Sequence, residues 1–161
     1  MENQLTTTIS CGNIQQVYSP KNLMESCKKI TSPIQAANSG MPSLARLEKE
    51  VGREYVIRAI IVNLIFLQNA INVKTKLNEQ QMLLLCNDIL DSYPMNNINF
   101  ADVNIVFTRA RRGEYGELYE SLSIDKVYQW FSKYFDERCG MAEEESINEH
   151  DKTKNSRAWW K

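Results

Sequence analysis

The sequence predicts an all-α protein: a compact bundle of five or six helices with a flexible N-terminal arm and a disordered C-terminal tail. Three observations carry that prediction. Apolar residues recur three and four apart through most of the span 20–140, the spacing of one helical face. Residues that start helices (Ser19, Ser43, Asn78, Asn99 and Ser123) stand just before those runs. The two ends lack this pattern: 1–19 is polar and mixed, and 141–161 is charged with few aliphatic residues. A chain of 161 residues fits one domain with appendages. The expected division is an arm over 1–19, a helical domain over 20–140 and a tail over 141–161.

The elements follow in order. Ser19-Pro20 places a capping hydroxyl before a proline at the first helical position, which predicts a helix from Pro20 to about Ile30. Leu23, Met24, Cys27 and Ile30 form its apolar side. Two prolines and Gly40 mark 31–42 as a loop holding at most one turn, at Ile34–Asn38. Ser43 caps a helix over Leu44–Glu50, and Gly52 either breaks that helix or lies within a longer one. Arg53–Val73 is apolar around most of its circumference and is expected to be the central, most buried helix. Its polar strip is Arg53, Glu54, Arg58, Gln68, Asn69 and Asn72. Asn63 lies off that strip and reads as a core amide bonded to nearby backbone.

Asn78 with Gln81 three residues later forms a capping box, and Pro94 ends the helix that follows. Asn99 caps the next helix, which runs through Arg112. Asp102 in its first turn and Arg109, Arg111 and Arg112 in its last suit the helix dipole at both ends. Gly113 suits a left-handed cap. Glu117–Leu122 fits either an extended piece or a helical turn. Ser123 opens a last helix through about Cys139, closed by Gly140. The expected core contains Phe66, Leu67, Ile89, Phe107, Trp130 and Phe131.

Charge and composition restrict function. The net charge is −1, whereas a protein that coats duplex DNA through a global field is usually basic, so DNA contact is not favoured. Cys11, Cys27, Cys86 and Cys139 form no CxxC, and His150 is the sole histidine, so no metal site and no cofactor is expected. Lone thiols suit a reducing cytoplasm. The most apolar stretch, Tyr55–Leu67, is interrupted by Arg58 and Asn63 and falls short of the ~20 residues that span a bilayer, so no membrane anchor is expected. No phosphate loop is present, and His150 in the tail supports no Ser/His/Asp or Cys/His arrangement. A non-enzyme is the expectation, with no catalytic residue named.

Two segments remain as candidate contact sites. Arg109–Tyr119 packs three arginines (Arg109, Arg111, Arg112), two glycines and two tyrosines (Tyr115, Tyr119) into a helix–turn junction. Arginine forks recognise phosphate or carboxylate, and tyrosines offer stacking faces. The opposing reading makes the arginines helix-end compensation and the tyrosines core packing. The chain's last residues include Trp159-Trp160, two indoles on a charged tether, a composition suited either to docking in a groove on a partner or to folding back onto the chain's own domain.

The segment Asn99–Arg138 also resembles a family. Its pattern is Asp102-Val103…Phe107, then Ala110-Arg111-Arg112-Gly113-Glu114-Tyr115-Gly116…Tyr119, then a helix with Ile124, Trp130, Tyr134 and Glu137-Arg138. This resembles small helical proteins of Bacteroidetes genomes, their phages and their mobile elements, some of which look like helicase loaders. The resemblance implies an accessory protein of DNA replication that binds a helicase or an initiator. The alternative is a regulatory helical domain that contacts DNA through Arg109–Arg112.

Overall fold

A computed structural model of the chain describes residues 19–117 and 120–157. Among these are seven α-helices and one 3-10 turn: α1 (Pro20–Cys27), α2 (Pro33–Ala37), α3 (Leu44–Val51), α4 (Arg53–Ala70), α5 (Glu79–Asp91), the turn Met95–Asn97, α6 (Phe100–Arg111) and α7 (Ile124–Arg157). The all-α prediction holds. The arm residues 1–18 lie outside the described residues, as do 118–119 and 158–161.

Local chemistry sets the helix starts. The side chains of Ser19, Ser32, Ser43, Asn78 and Asn99 each accept a hydrogen bond from a first-turn backbone N–H. Each satisfies a donor that the helix geometry leaves unpaired. Asn78 with Gln81 and Asn99 with Asp102 complete reciprocal capping boxes. Gly52, at φ +93°, separates α3 from α4, a backbone that other residues rarely adopt. Gly113 takes φ +78° just after α6. Glu117–Leu122 is resolved at its end: Thr75 N–H donates to the Glu120 carbonyl at 3.0 Å and Leu122 N–H to the Thr75 carbonyl at 2.9 Å, a short parallel bridge.

The core is continuous. Leu44, Leu47, Val56, Ile60, Leu64, Leu85, Ile89, Val103, Val106, Phe131 and Tyr134 are fully buried. Each large apolar side chain so buried contributes about 1.5–3 kcal/mol relative to exposure. Phe107 meets Phe131 edge-to-face at 5.6 Å. Of the expected core, Leu67, Ile89, Phe107, Trp130 and Phe131 are buried, but Phe66 is 59% exposed.

That exposure reflects a broader correction to the predicted centre of the bundle. α6 packs against α1, α2, α4 and α7 and buries eight of its 12 residues. α4 buries eight of 18. The longer helix is more apolar in sequence, yet one of its sides meets no neighbour among the described residues, leaving Ile65 and Phe66 outside. Gln68, expected on the polar strip, is buried instead. Its amide is bonded twice to Leu77, accepting from the N–H at 2.7 Å and donating to the carbonyl at 3.4 Å, so it fixes the return of the chain toward α5. Asn63 donates to the Ala59 carbonyl at 3.0 Å, the core-amide role expected of it.

Gly140 does not close α7. The helix runs through it to Arg157, so residues 141–157, expected as disordered tail, are helical. A glycine inside a helix costs about 1 kcal/mol relative to alanine. Met141-Ala142-Glu143-Glu144-Glu145 beyond it are good helix formers that carry the helix on. Ile34 of α2 lies beside Met141 and Glu145, giving the first turn of this extension a neighbour. Residues 142–154 are exposed throughout.

Candidate functional site

The arginine-rich junction divides into two parts with different surroundings. Arg109 points inward. Its two terminal nitrogens donate to both carboxylate oxygens of Glu137 on α7, and its Nε lies 3.6 Å from Glu114. The guanidinium carbon stands 5.6 Å from the centre of the Tyr134 ring. The two-pronged bond to Glu137 holds Arg109 protonated at every accessible pH.

Beside it lies a second buried polar cluster. Asp102 is fully buried. Its carboxylate accepts from the Asn99 N–H at 2.8 Å, the Tyr134 hydroxyl at 2.6 Å and the Arg138 Nε at 3.0 Å. Burial raises the Asp102 pKa above the usual carboxylate range, and its three donors pull against that rise without cancelling it. Burial foremost, and Asp102 next to it, push the Tyr134 hydroxyl far upward. Asp102 is therefore a structural anchor. It joins the cap of α6 to the middle of α7 and has every near partner inside the chain.

Tyr115 is likewise committed to packing. Its ring stacks on Trp130 at 5.8 Å and an interplanar angle of 15°. Its hydroxyl is buried without a hydrogen bond of good geometry. Tyr119, Trp159 and Trp160 lie outside the described residues.

Arg111 and Arg112 have a different setting. Both are exposed and form no ion pair among the described residues. They line a cleft of about 500 Å³ between α1 and α6, with Lys28, Asn104 and Thr108. Of the seven residues proposed from sequence, two thus stay inside the junction (Arg109, Tyr115) and two open onto solvent (Arg111, Arg112). Lys28 was not foreseen, because it is some 80 positions distant in sequence and only the packing of α1 on α6 brings it near.

A second exposed feature was also missed. Ile65 and Phe66 on α4, and Leu83 and Leu84 on α5, are 43%, 59%, 45% and 57% exposed. α4 and α5 pack as antiparallel neighbours. Arg53 donates to Asn87 and Asp91 at one end, and Gln68 bonds Leu77 at the other. The four apolar side chains therefore stand on the outward faces of two adjacent helices. Periodicity alone suggests burial for Phe66, and Leu83 and Leu84 fall within the apolar run Leu83-Leu84-Leu85-Cys86.

The described residues hold no cluster of three His, Cys, Asp or Glu suited to a metal, and no described helix is long and apolar enough to cross a membrane. Cys27, Cys86 and Cys139 are free thiols. Burial raises Cys27 to about 11, helped by nearby Asp102, and Cys86 to about 12, which leaves both as protonated packing groups at neutral pH. No family model matches the chain, and neither a curated protein nor a solved structure is significantly similar to it.

Proposed function

We propose that the chain is a non-enzymatic adaptor that docks a protein partner on the outward face of α4 and α5. The observation that carries this reading is the set of four large apolar side chains left 43–59% exposed on two adjacent helices. Scattered apolar residues on a surface are ordinary, but a gathered group on neighbouring elements marks a contact surface. The exposed helical extension 142–154 adds a second accessible element. The choice of a helicase or initiator of phage or mobile-element DNA replication as partner rests on the resemblance of Asn99–Arg138. A cytoplasmic setting suits the free thiols. Direct contact with DNA through all of Arg109–Arg112 has less support, because Arg109 is bound to Glu137.

The test is a pull-down from lysate of the source cells, read by mass spectrometry. Three baits are compared: the full chain, the double variant Phe66→Ser/Leu84→Ser, and the chain cut after Gly140. A helicase or initiator held by the full chain and lost by the double variant supports the reading. The same partner held equally by the double variant removes the α4–α5 face from it. Loss on the truncated bait alone assigns the contact to 141–161. Recovery of no replication protein by the full chain contradicts the proposed partner.

A further inference from the structure

We propose that the cleft between α1 and α6 is a binding site for the phosphates of a free nucleotide. The site is independent of the α4–α5 face and uses different residues. Its volume, about 500 Å³, lies within the ~300–1,000 Å³ typical of small-molecule pockets. Lys28, Arg111 and Arg112 line it, all three exposed and without an ion pair among the described residues. The one carboxylate in the lining, Glu114, stands 3.6 Å from Arg109 and is engaged there.

The competing account is that these cations merely balance helix ends. α1 ends at Cys27 and α6 at Arg111, so two C-termini converge on the cleft. Each carries about half a negative charge. Arg109, paired with both oxygens of Glu137, also faces Glu114, so that group carries one net negative charge. With the helix ends it offsets roughly two of the three free cations, and a positive surplus of about one remains for an anion. Arginine forks and a lysine suit phosphoryl oxygens. Asn104 and Thr108, one helical turn apart on α6, add an amide and a hydroxyl to the same wall. Met24 and Ile30, both half-buried, supply an apolar surface on which a flat base can lie. Cations and aliphatic side chains in one lining match a nucleotide better than inorganic phosphate. A long nucleic-acid strand is disfavoured by the chain's net charge of −1.

Isothermal titration of the full chain with ATP, inorganic phosphate and a ten-residue oligothymidylate tests the assignment. ATP is expected to bind more tightly than phosphate and more weakly as salt is added. Arg111→Gln/Arg112→Gln is expected to weaken ATP binding by about tenfold or more, and Lys28→Gln by about threefold. Arg58→Gln, an exposed cation on α4, should leave it unchanged. All these side chains are exposed, so an unchanged melting temperature verifies that each variant folds. Three results would overturn the proposal: no heat with ATP, equal weakening by Arg58→Gln, or oligothymidylate binding more tightly than ATP.

Discussion

The seam between α6 and α7 and the outward face of α4 and α5 use side chains in opposite ways. At the seam, charged residues that look like ligand-binding groups are consumed internally: Asp102 by Asn99, Tyr134 and Arg138, and Arg109 by Glu137. On the outward face, apolar residues that look like core are left without cover. Residue type alone therefore misassigns both. What decides is whether a neighbouring element supplies the partner, and that depends on packing between helices far apart in sequence.

The contrast can be broken most forcefully at Asp102. Asp102→Ala leaves the Tyr134 hydroxyl and Arg138 facing each other without their shared acceptor. It should cost about 3–5 kcal/mol of unfolding free energy by urea denaturation. Asp102→Asn keeps an acceptor and should cost less than half as much. The pKa of Asp102 is raised in the folded chain, so protonation favours folding. Its contribution is fully present below the ordinary 3.8 and is lost as pH rises through the raised value. Asp102→Asn should remove that component from the pH dependence of stability, measured from urea midpoints across the acid range. An unchanged profile would show that Asp102 does not titrate as its burial requires.

Arg109→Gln should cost less, about 1–3 kcal/mol, because the Arg109–Glu137 pair is partly solvated and Glu137 regains water. A variant as stable as the parent would place Arg109 with its free neighbours Arg111 and Arg112. Tyr115→Phe should act in the other direction. It removes a buried hydroxyl without a hydrogen bond of good geometry and keeps the stack on Trp130, so stability should hold or rise by up to about 1 kcal/mol. A clear loss would reveal that Tyr115 is held by its hydroxyl.

Thiol chemistry sharpens the same contrast without changing stability. In a Cys11→Ser background at pH 8, Cys139 is exposed and should react with a disulfide reagent at once. Cys27 and Cys86, buried and held near 11 and 12, should react only as fast as the chain unfolds. Fast labelling of all three would contradict a closed core.

Much of the fold was readable in the sequence for physical reasons. Caps act over three residues, so Ser43, Asn78 and Asn99 announced α3, α5 and α6, and Gly113 announced the end of α6. Gly140 misled because good helix formers on its far side outweigh one glycine. The apolar circumference of α4 was visible, but which part lacked a neighbour was not. Periodicity describes a helix, and only packing says which of its sides is covered. The site was readable to the same extent. The arginine cluster stood out, while its division into an inward Arg109 and outward Arg111 and Arg112 needed the position of Glu137 on α7. One signal for Asp102 was present and unused: Tyr134 and Arg138, four apart, share a face of α7 and can close on one acceptor.

The central claim is that the seam maintains the fold while the outward face makes the contact. It is tested most directly by measuring unfolding free energy and partner retention on the same two variants, Arg109→Gln and Phe66→Ser/Leu84→Ser. The account predicts that Arg109→Gln loses stability and keeps the partner at temperatures where it remains folded. It predicts that the double variant stays within about 0.5 kcal/mol of the parent, as surface changes usually do, and loses the partner. A double variant that unfolds readily, or one that keeps the partner, would contradict it.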